Sequence, residues 1–341
     1  MRQTMTSRSR FLAAVQGKPT DRPAIGSVTS VATTEAMTAS GAAFPLAHHD
    51  PAVMAQLAAY AGIDAGFDAL FPLFSVVHEA AALGAEVDWG DERSMPGVTH
   101  HPWREPEDIW IPDDFEQRAS MRVPLEALRL LKAEYGEHYA IVGKTFGPWS
   151  LSFHLFGVEE ILMMVLDDPD KLAAIMERLC QVTVRSAEAQ IRAGADLLCL
   201  GDHCSRDMCS PLTYRDFLLP LHRRLVQQIT CPLVLHTCGD TADRIEAIAE
   251  SGIGCFHYDT RIPAAVARRL AGDRMALMGG ISNINSLLPA DEAAIRADVR
   301  QALNAGINVI GPECAIPLST PLACLRAIRE AVAAELAIGS A

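Results

Sequence analysis

One imidazole and two thiols are spaced in a way that suits a bound metal ion. His236 and Cys238 follow an apolar run at 232–235, and Cys314 lies much later, in the segment Gly-Pro-Glu-Cys-Ala-Ile-Pro. Side chains at i and i+2 of a strand share a face, so His236 and Cys238 can bind one ion while Cys314 arrives from elsewhere. Three protein ligands leave one tetrahedral position open, which is typical of a catalytic zinc ion. The alternative is two buried thiols beside a hydrogen-bonded core histidine.

The elements that would position these ligands can be read from the rest of the chain. Short apolar runs alternate with helical patterns almost throughout, which is typical of repeated strand-helix units. About eight such units predict an α/β fold, a single (β/α)8 TIM barrel that forms one domain over 1–341. The predicted strands are 23–28, 67–73, 139–144, 196–200, 232–236, 255–258, 275–278 and 308–310. The predicted helices are 51–61, 123–134, 158–192 with a break at Asp167-Asp168-Pro169, 211–228, 241–251, 263–271, 291–305 and 321–338.

One segment interrupts this alternation, as an insertion between strands 2 and 3. Residues 87–114 hold three of the four tryptophans, several prolines and the pair His100-His101, without a helical period. We interpret this segment as an excursion over the mouth or rim of the barrel.

Polar residues collect after the predicted strands, where barrel enzymes place their chemistry. Three carboxylates are candidate catalytic residues. Asp202 follows strand 4 and either orients a ligand or caps a turn. Asp259 follows strand 6 and is expected to hold His236 in the tautomer that binds metal, whereas His257 is expected to be a core histidine. Glu79 either faces the pocket or begins a helix.

Two further groups follow the strands. Gly279, Gly280 and Asn283 are candidate cofactor-binding residues, because barrels often bind phosphate near strands 7 and 8. A double glycine can equally allow another backbone to approach closely. The cluster Asp202-His203-Cys204 with Cys209 matches no common zinc pattern, and we interpret it as a loop that lines the pocket.

Composition limits the classes of partner. The chain has 29 Lys and Arg residues against 42 Asp and Glu residues, and the net charge of −13 disfavours nucleic acid and anionic membranes. No apolar run approaches the roughly 18 residues of a membrane span. Nine cysteines, an odd number without a regular framework, favour a reducing cytoplasm. These features predict a small-molecule ligand.

Seven segments resemble the uroporphyrinogen decarboxylase superfamily over almost the whole chain, and within it the branch of cobalamin-dependent methyltransferases that includes methylcobalamin:coenzyme M methyltransferases. In that branch the zinc ligands are a His-x-Cys pair and a distant Cys, which correspond to His236, Cys238 and Cys314. The matching segments are Gly17-Lys-Pro-Thr-Asp-Arg22-Pro23, Gly66-Phe-Asp68, Gly147-Pro148, Asp202 with Ser210-Pro211, His236-Thr-Cys238-Gly239, Gly280 with Asn283, and Gly311-Pro-Glu-Cys314-Ala-Ile-Pro317.

The resemblance implies methyl transfer between a corrinoid, such as methylcobalamin, and a thiol such as coenzyme M or homocysteine. A separate corrinoid protein is the expected partner, because the chain lacks an Asp-x-His-x-x-Gly cobalamin motif. The superfamily also implies a homodimer. One alternative is a uroporphyrinogen decarboxylase, which is disfavoured because the segment Ala24-Ile-Gly-Ser27 carries no arginine cluster and decarboxylation needs no metal. Another is demethylation of a methoxyaromatic or methylamine substrate, and the polar segment 202–207 leaves that substrate open.

Overall fold

Eight parallel strands form one sheet in the computed structural model, which describes residues 4–338. Its strand order is β1-β10-β9-β8-β7-β6-β5-β2, so each barrel strand lies beside its neighbour in the chain. A two-stranded antiparallel hairpin, β3 and β4, stands apart from this sheet. The strands are β1 (Ala24–Ile25), β2 (Ala69–Leu70), β3 (Glu86–Asp88), β4 (Gly97–His100), β5 (Ala140–Phe146), β6 (Leu197–Gly201), β7 (Leu233–His236), β8 (Cys255–Tyr258), β9 (Ala276–Ile281) and β10 (Val309–Pro312).

Helices follow the barrel strands and complete the (β/α)8 fold. All eight predicted barrel strands are present. The described residues also contain two 3-10 turns and two π-helical turns. The π-helical turn Tyr214–Leu218 joins α9 to α10. The helices are α1 (Ser7–Ala14), α2 (Thr34–Ser40), α3 (Pro51–Ala65), α4 (His78–Ala82), α5 (Ala119–Tyr135), α6 (Pro148–Phe156), α7 (Val158–Asp167), α8 (Pro169–Arg192), α9 (Pro211–Thr213), α10 (Leu219–Gln228), α11 (Ile245–Ala249), α12 (Ala264–Ala271), α13 (Glu292–Asn304) and α14 (Leu322–Ile338).

Three helical segments show where the prediction agrees with the structure and where it differs. The long helix at 158–192 breaks at Asp168, as predicted, because Pro169 cannot continue the preceding helix. The helix predicted at 241–251 is only Ile245–Ala249. Helix α6 was not predicted, because eight of its nine residues are buried and it therefore has no polar face to create a helical period. The domain prediction of 1–341 includes 1–3 and 339–341, which lie outside the described residues.

The barrel is closed between β1 and β2 by Asp68. Its backbone N–H donates to Ile25 O at 2.6 Å, and its carboxylate accepts the Ile25 N–H at 2.9 Å. Arg10 and Arg22 both form ion pairs with this buried carboxylate, at 2.8 and 2.9 Å. The motif residues Arg22 and Asp68 therefore hold the first two strands together.

No single helix within residues 4–338 is long and apolar enough to cross a membrane. Helices α6 and α7 pass that test only as a pair, and they are bent by 114° relative to each other.

Gly311 in β10 marks the closest backbone approach in the barrel. A Cβ at this position would overlap Gly26 O of the neighbouring chain segment. We predict that Gly311→Ala lowers the free energy of unfolding by about 2 kcal/mol, since overpacking of this kind forces the backbone to shift. Urea unfolding monitored by circular dichroism measures the change. Gly97→Ala is the matched control, because a Cβ there meets nothing within 4 Å, and an equal loss in both variants would contradict the prediction.

Several histidines are buried in the neutral form. Burial lowers the pKa of His48 to about 3 and that of His78 to about 4, and His48 stacks on Phe44 with ring centroids 4.3 Å apart. Neither ring nitrogen of His48 has a hydrogen-bond partner. The unfolded chain therefore binds protons near pH 6.5 that the folded chain does not bind until the pH is far lower.

Folding stability should consequently fall as the pH drops below 6.5, and each such histidine contributes about 1.4 kcal/mol of loss at pH 5.5. We predict that His48→Phe reduces the loss of unfolding free energy between pH 7.5 and pH 5.5 by about 1.4 kcal/mol, as measured by urea midpoints. The exposed His138→Gln is the control and should retain the wild-type pH dependence. An unchanged pH dependence in His48→Phe would show that His48 is not the titrating group.

Candidate metal centre

The three predicted ligands converge at the carboxyl ends of two strands. His236 is the last residue of β7, and Cys314 follows β10 by two residues. His236 Nε2 lies 3.1 Å from Cys238 Sγ and 3.5 Å from Cys314 Sγ, and the two sulfurs are 2.7 Å apart. Within residues 4–338 this is the only group of three or more His, Cys, Asp or Glu side chains whose donor atoms converge in this way.

The donor set fits a zinc ion. Zn–S bonds of about 2.3 Å and Zn–N bonds of about 2.0 Å separate neighbouring donors of a tetrahedral site by about 3.5 to 3.8 Å. Two of the three observed separations are shorter, by about 1.1 Å at most, so small side-chain shifts would give tetrahedral spacing. All nine cysteines are free thiols, and the Cys238–Cys314 sulfur separation is well beyond the length of a disulfide bond, about 2.05 Å.

The pKa values of the two thiols are shifted in opposite directions. The hydrogen bond from Cys238 and the neighbouring His236 hold the pKa of Cys314 well below its usual value. The same contact with Cys314, together with burial, raises the pKa of Cys238. One thiolate therefore forms readily, whereas a second requires a cation between the sulfurs, as a metal ion supplies.

Thr237 fixes the segment that carries two of the ligands. Its buried hydroxyl donates to Asp202 O at 2.7 Å, and the Asp202 N–H donates to His236 O at 3.1 Å. The Gly239 N–H then donates to an Asp259 carboxylate oxygen at 2.7 Å. These bonds from both flanking loops determine where His236 and Cys238 point.

Glu313 and Asn283 fix the segment that carries the third ligand. Glu313 accepts hydrogen bonds from the N–H groups of Asn283, at 2.6 Å, and Thr260, at 2.9 Å, and from the Thr260 hydroxyl. The Asn283 amide donates to Ala315 O at 2.8 Å. These contacts hold the loop around Cys314, and the cofactor role of Asn283 stays a prediction.

His257 links the two ligand-bearing strands. Its ring lies 4.5 Å from the His236 ring, between centroids, and its Nε2–H donates to Pro312 O at 2.7 Å. The prediction of a core histidine is therefore confirmed. The expected contact between Asp259 and His236 is wrong: the Asp259 carboxylate turns to the N–H groups of Gly239 and Arg261, and His236 Nδ1 has no hydrogen-bond partner.

The glycine pair in β9 has a packing role, and its predicted cofactor role stays a prediction. Gly279 and Gly280 have φ angles of +124° and +98°. A Cβ at Gly279 would lie 2.8 Å from Tyr258 O, and one at Gly280 would lie 2.9 Å from Ala302 Cβ. The close approach of β8 and α13 therefore requires both glycines.

Asp202 lies at the edge of the cavity beside the ligands, but both oxygens of its carboxylate already have partners. One oxygen accepts the Ser150 N–H at 2.8 Å, and the other contacts His222 Nε2 at 2.9 Å. His222 Nδ1 in turn contacts the Tyr214 hydroxyl at 3.1 Å, and both side chains are fully buried. The sequence analysis missed this chain of contacts, because nothing in the spacing of residues 202, 214 and 222 indicates it.

Glu79 is a buried carboxylate held by neighbouring hydroxyl groups. It lies in the first turn of α4, and burial raises its pKa. Its carboxylate accepts hydrogen bonds from the Ser186 hydroxyl at 2.7 Å and the Thr145 hydroxyl at 2.9 Å. Glu79 thus lies at the start of a helix, as one of its two readings predicts, and its role as a catalytic residue stays a prediction.

A cavity of about 420 Å³ opens over the three ligands. Its wall is partly apolar, from Phe146, Phe153, Val158 and Met208, and the insertion contributes Val98 and His101. Burial lowers the pKa of His154, another lining residue, to about 4. A larger groove, of about 670 Å³, lies between α3 and α5 and includes none of the ligands. The polar lining residues that the sequence analysis did not single out are Thr29, Lys144, Ser150 and His154.

Known proteins match this chain over nearly its full length. The profile of the uroporphyrinogen decarboxylase (URO-D) family matches residues 6–335. A methylated-thiol--coenzyme M methyltransferase of Methanosarcina mazei is 34% identical, over 95% of this chain and 88% of its own length. A methylcobamide:CoM methyltransferase of Methanosarcina barkeri is 31% identical, over 95% and 96%. A solved methyltransferase structure from Methanosarcina mazei superposes with a TM-score of 0.94 at 30% identity, over 97% and 99% of the two chains.

Thr237 offers a test of how rigidly the ligands are held. We predict that Thr237→Val lowers zinc affinity by roughly 10- to 100-fold, because groups that orient metal ligands typically have effects of this size. Competition with a colorimetric chelator measures the affinity, and circular dichroism checks the fold. Thr38→Val, at an exposed helical position, is the control. Unchanged affinity in Thr237→Val would mean that the ligands need no support from Asp202.

Proposed function

The chain belongs to the uroporphyrinogen decarboxylase (URO-D) family, and we propose that it is a zinc-dependent enzyme that transfers a methyl group between a corrinoid and a thiol. The observation that carries this proposal is the convergence of His236, Cys238 and Cys314 beneath an open cavity. Three protein donors leave room for one exchangeable ligand, and the cavity gives that ligand access.

The reaction needs a sulfur nucleophile at neutral pH. A free thiol has a pKa near 8.5 and is mostly protonated at pH 7, whereas the thiolate is the reactive form. Zinc held by these residues supplies a thiolate at neutral pH, because a thiol that coordinates the ion loses its proton. The sulfur of the substrate thiol would then take the methyl group: the C–S bond would form, the Co–C bond would break with its electron pair left on cobalt, and the thiol proton would pass to solvent.

The residues of the chain orient the metal ligands and provide a partly apolar environment. His236 and Cys238 are oriented by Thr237 and Gly239, and Cys314 by the contacts of Glu313 and Asn283. These contacts fix the sulfur nucleophile in one place, which converts the encounter of two reactants into an oriented one. The apolar side chains of the lining lower the local dielectric constant, which strengthens electrostatic interactions in the cavity.

The methyl donor is proposed to be a corrinoid on a separate protein. The name of the Methanosarcina barkeri relative refers to methylcobamide, and that relative aligns with 95% of this chain. The chain itself has no Asp-x-His-x-x-Gly cobalamin motif. A partner that presents the corrinoid at the barrel mouth would supply what the chain lacks.

Decarboxylation is the weaker alternative within the same family. It makes no use of three converging metal donors, and Lys144 is the only Lys or Arg that lines the cavity among the described residues. A substrate with many carboxylates would need several such cations.

The direct test is demethylation of methylcobalamin by the zinc-loaded protein with a panel of thiols. We predict about one zinc per chain and thiol-dependent loss of the methyl group, followed by the absorbance change of the corrinoid. Cys314→Ala should lose zinc and at least about 100-fold in rate, because two ligands no longer hold the ion in place.

Cys231→Ala is the matched control, since Cys231 lies before β7, its thiol contacts Pro232 O, and it is not one of the three ligands. It should keep both zinc and activity. Full activity in metal-free protein would contradict the proposal, and release of carbon dioxide from uroporphyrinogen would favour the decarboxylase.

A further inference from the structure

A second cavity, of about 440 Å³, lies at the amino end of α5. It is formed where the 3-10 turn Leu46–His48, helix α4 and the start of α5 meet Trp89, the residue after β3. It shares no lining residue with the cavity over the metal ligands. Small-molecule sites typically occupy about 300 to 1,000 Å³, so this cavity is large enough for a compound rather than a single ion.

One wall of this cavity is a buried histidine without a hydrogen-bond partner. His48 lines the cavity and is 1% exposed, and neither of its ring nitrogens has a partner within residues 4–338. A neutral imidazole has one N–H donor and one acceptor, and buried polar atoms normally have partners. Phe44 and Trp89, whose ring centroids lie 4.3 and 5.9 Å from that of His48, supply ring contacts and no hydrogen bond. The cavity is therefore the side from which a partner can reach this ring.

Helix α5 begins at the same cavity with unused hydrogen-bond donors. Its first two residues, Ala119 and Ser120, line the cavity, and their N–H groups donate to no group in the described part of the chain. No side chain caps this end of the helix, and its first turn contains no acidic residue. An uncapped amino end combines free N–H groups with the positive end of the helix dipole, and both favour a bound anion.

The charged groups that line the cavity have one sign. The Nη1 of Arg118 donates to Ala82 O at 2.8 Å and its Nε donates to the Asp114 carboxylate at 3.1 Å, which leaves Nη2 without a partner among residues 4–338. Asp114 is exposed and lies outside the lining. No described Asp or Glu residue lines the cavity, although the chain contains 42 of them. The cavity thus offers a positive charge and several donors, and no lining anion meets them.

We propose that this cavity is a second ligand site, which binds the phosphate group of a small phosphorylated compound. The N–H groups of Ala119 and Ser120 and the guanidinium of Arg118 donate to the phosphate, and His48 contacts it from the buried side. A phosphate group suits donors that come from several directions, because it has three acceptor oxygens, whereas a carboxylate has two in one plane. The rest of the compound contacts Trp89, which lines the same cavity. This inference is independent of methyl transfer, since the two cavities share no residue.

A buried water molecule is the alternative partner for His48. Water would satisfy the imidazole, as ordered water does at many buried polar groups. It would give the cavity no affinity for an anion, and no dependence of that affinity on Arg118 or on the amino end of α5. Measured binding of phosphate to the protein and to variants of these donors therefore separates the two explanations.

The experiment is isothermal titration calorimetry of the full-length protein in phosphate-free buffer at constant ionic strength. The probes are inorganic phosphate, phenyl phosphate and the neutral phenol. We predict saturable binding of both phosphates, tighter for phenyl phosphate because its ring contacts Trp89, and no binding of phenol.

Two variants each remove one donor from the site. Ala119→Pro removes the first N–H of α5, and proline is accepted there because the preceding residue, Arg118, is extended, with φ −58° and ψ 139°. This variant and Arg118→Gln should each weaken phosphate binding at least about tenfold, as expected for the loss of a charge-assisted hydrogen bond. Arg93→Gln, an exposed arginine outside the cavity, is the matched control and should bind phosphate like the wild type.

Absence of saturable phosphate binding in the wild type would overturn the inference, as would wild-type affinity in either Ala119→Pro or Arg118→Gln. An equal loss of affinity in Arg93→Gln would also overturn it, because it would show only general attraction to surface charge. Urea midpoints establish that each variant folds. If a variant fails to fold, the backbone amide NMR signals of Ala119 and Ser120 in the wild type decide the question. They should shift with phenyl phosphate and not with phenol, and unchanged signals would reject the site.

Discussion

The site depends on a single geometric constraint: ligands from two strands that are not neighbours must meet at one point. Two strands, β8 and β9, separate β7 from β10 in the sheet. His257 in β8 spans this gap, because its ring packs against His236 and its Nε2–H donates to Pro312 O of β10. Gly279 of β9 allows close packing on the same strand, since a Cβ there would lie 2.8 Å from Tyr258 O. A core histidine and a missing side chain thus bring the two halves of the metal site together.

The loops around this link have a common design, in which backbone groups are held by buried polar side chains. Thr237 ties the His-x-Cys segment to the loop after β6, and Glu313 ties the Cys314 segment to the loops after β8 and β9. Each bond pairs a buried polar group, so its loss would leave an unsatisfied donor or acceptor as well as a freer ligand. Stability of the barrel mouth and geometry of the metal site therefore have the same physical origin.

The sequence was sufficient to predict the barrel and the metal ligands, because both leave local signals. Buried parallel strands appear as short apolar runs, and an i, i+2 pair of donors at the end of such a run has a defined direction. Contacts between loops leave no such signal. The predicted partner of Asp259, His236, was wrong. Whether the Asp259 carboxylate turns to His236 or to the Gly239 N–H depends on the path of two loops. The sequence analysis did not single out Lys144, because it stands at the end of the predicted strand 139–144, where a charged residue is unremarkable. Its place in the cavity wall becomes visible only in the folded structure.

The central claim is that one zinc ion is bound by one imidazole and two thiolates with a fourth position open to a substrate thiol. X-ray absorption spectroscopy at the zinc edge tests it most directly. The account predicts two sulfur scatterers at about 2.3 Å and nitrogen or oxygen scatterers at about 2.0 Å, with a third sulfur when a thiol is added. A zinc shell without sulfur, or one whose sulfur count does not change on addition of a thiol, would contradict it.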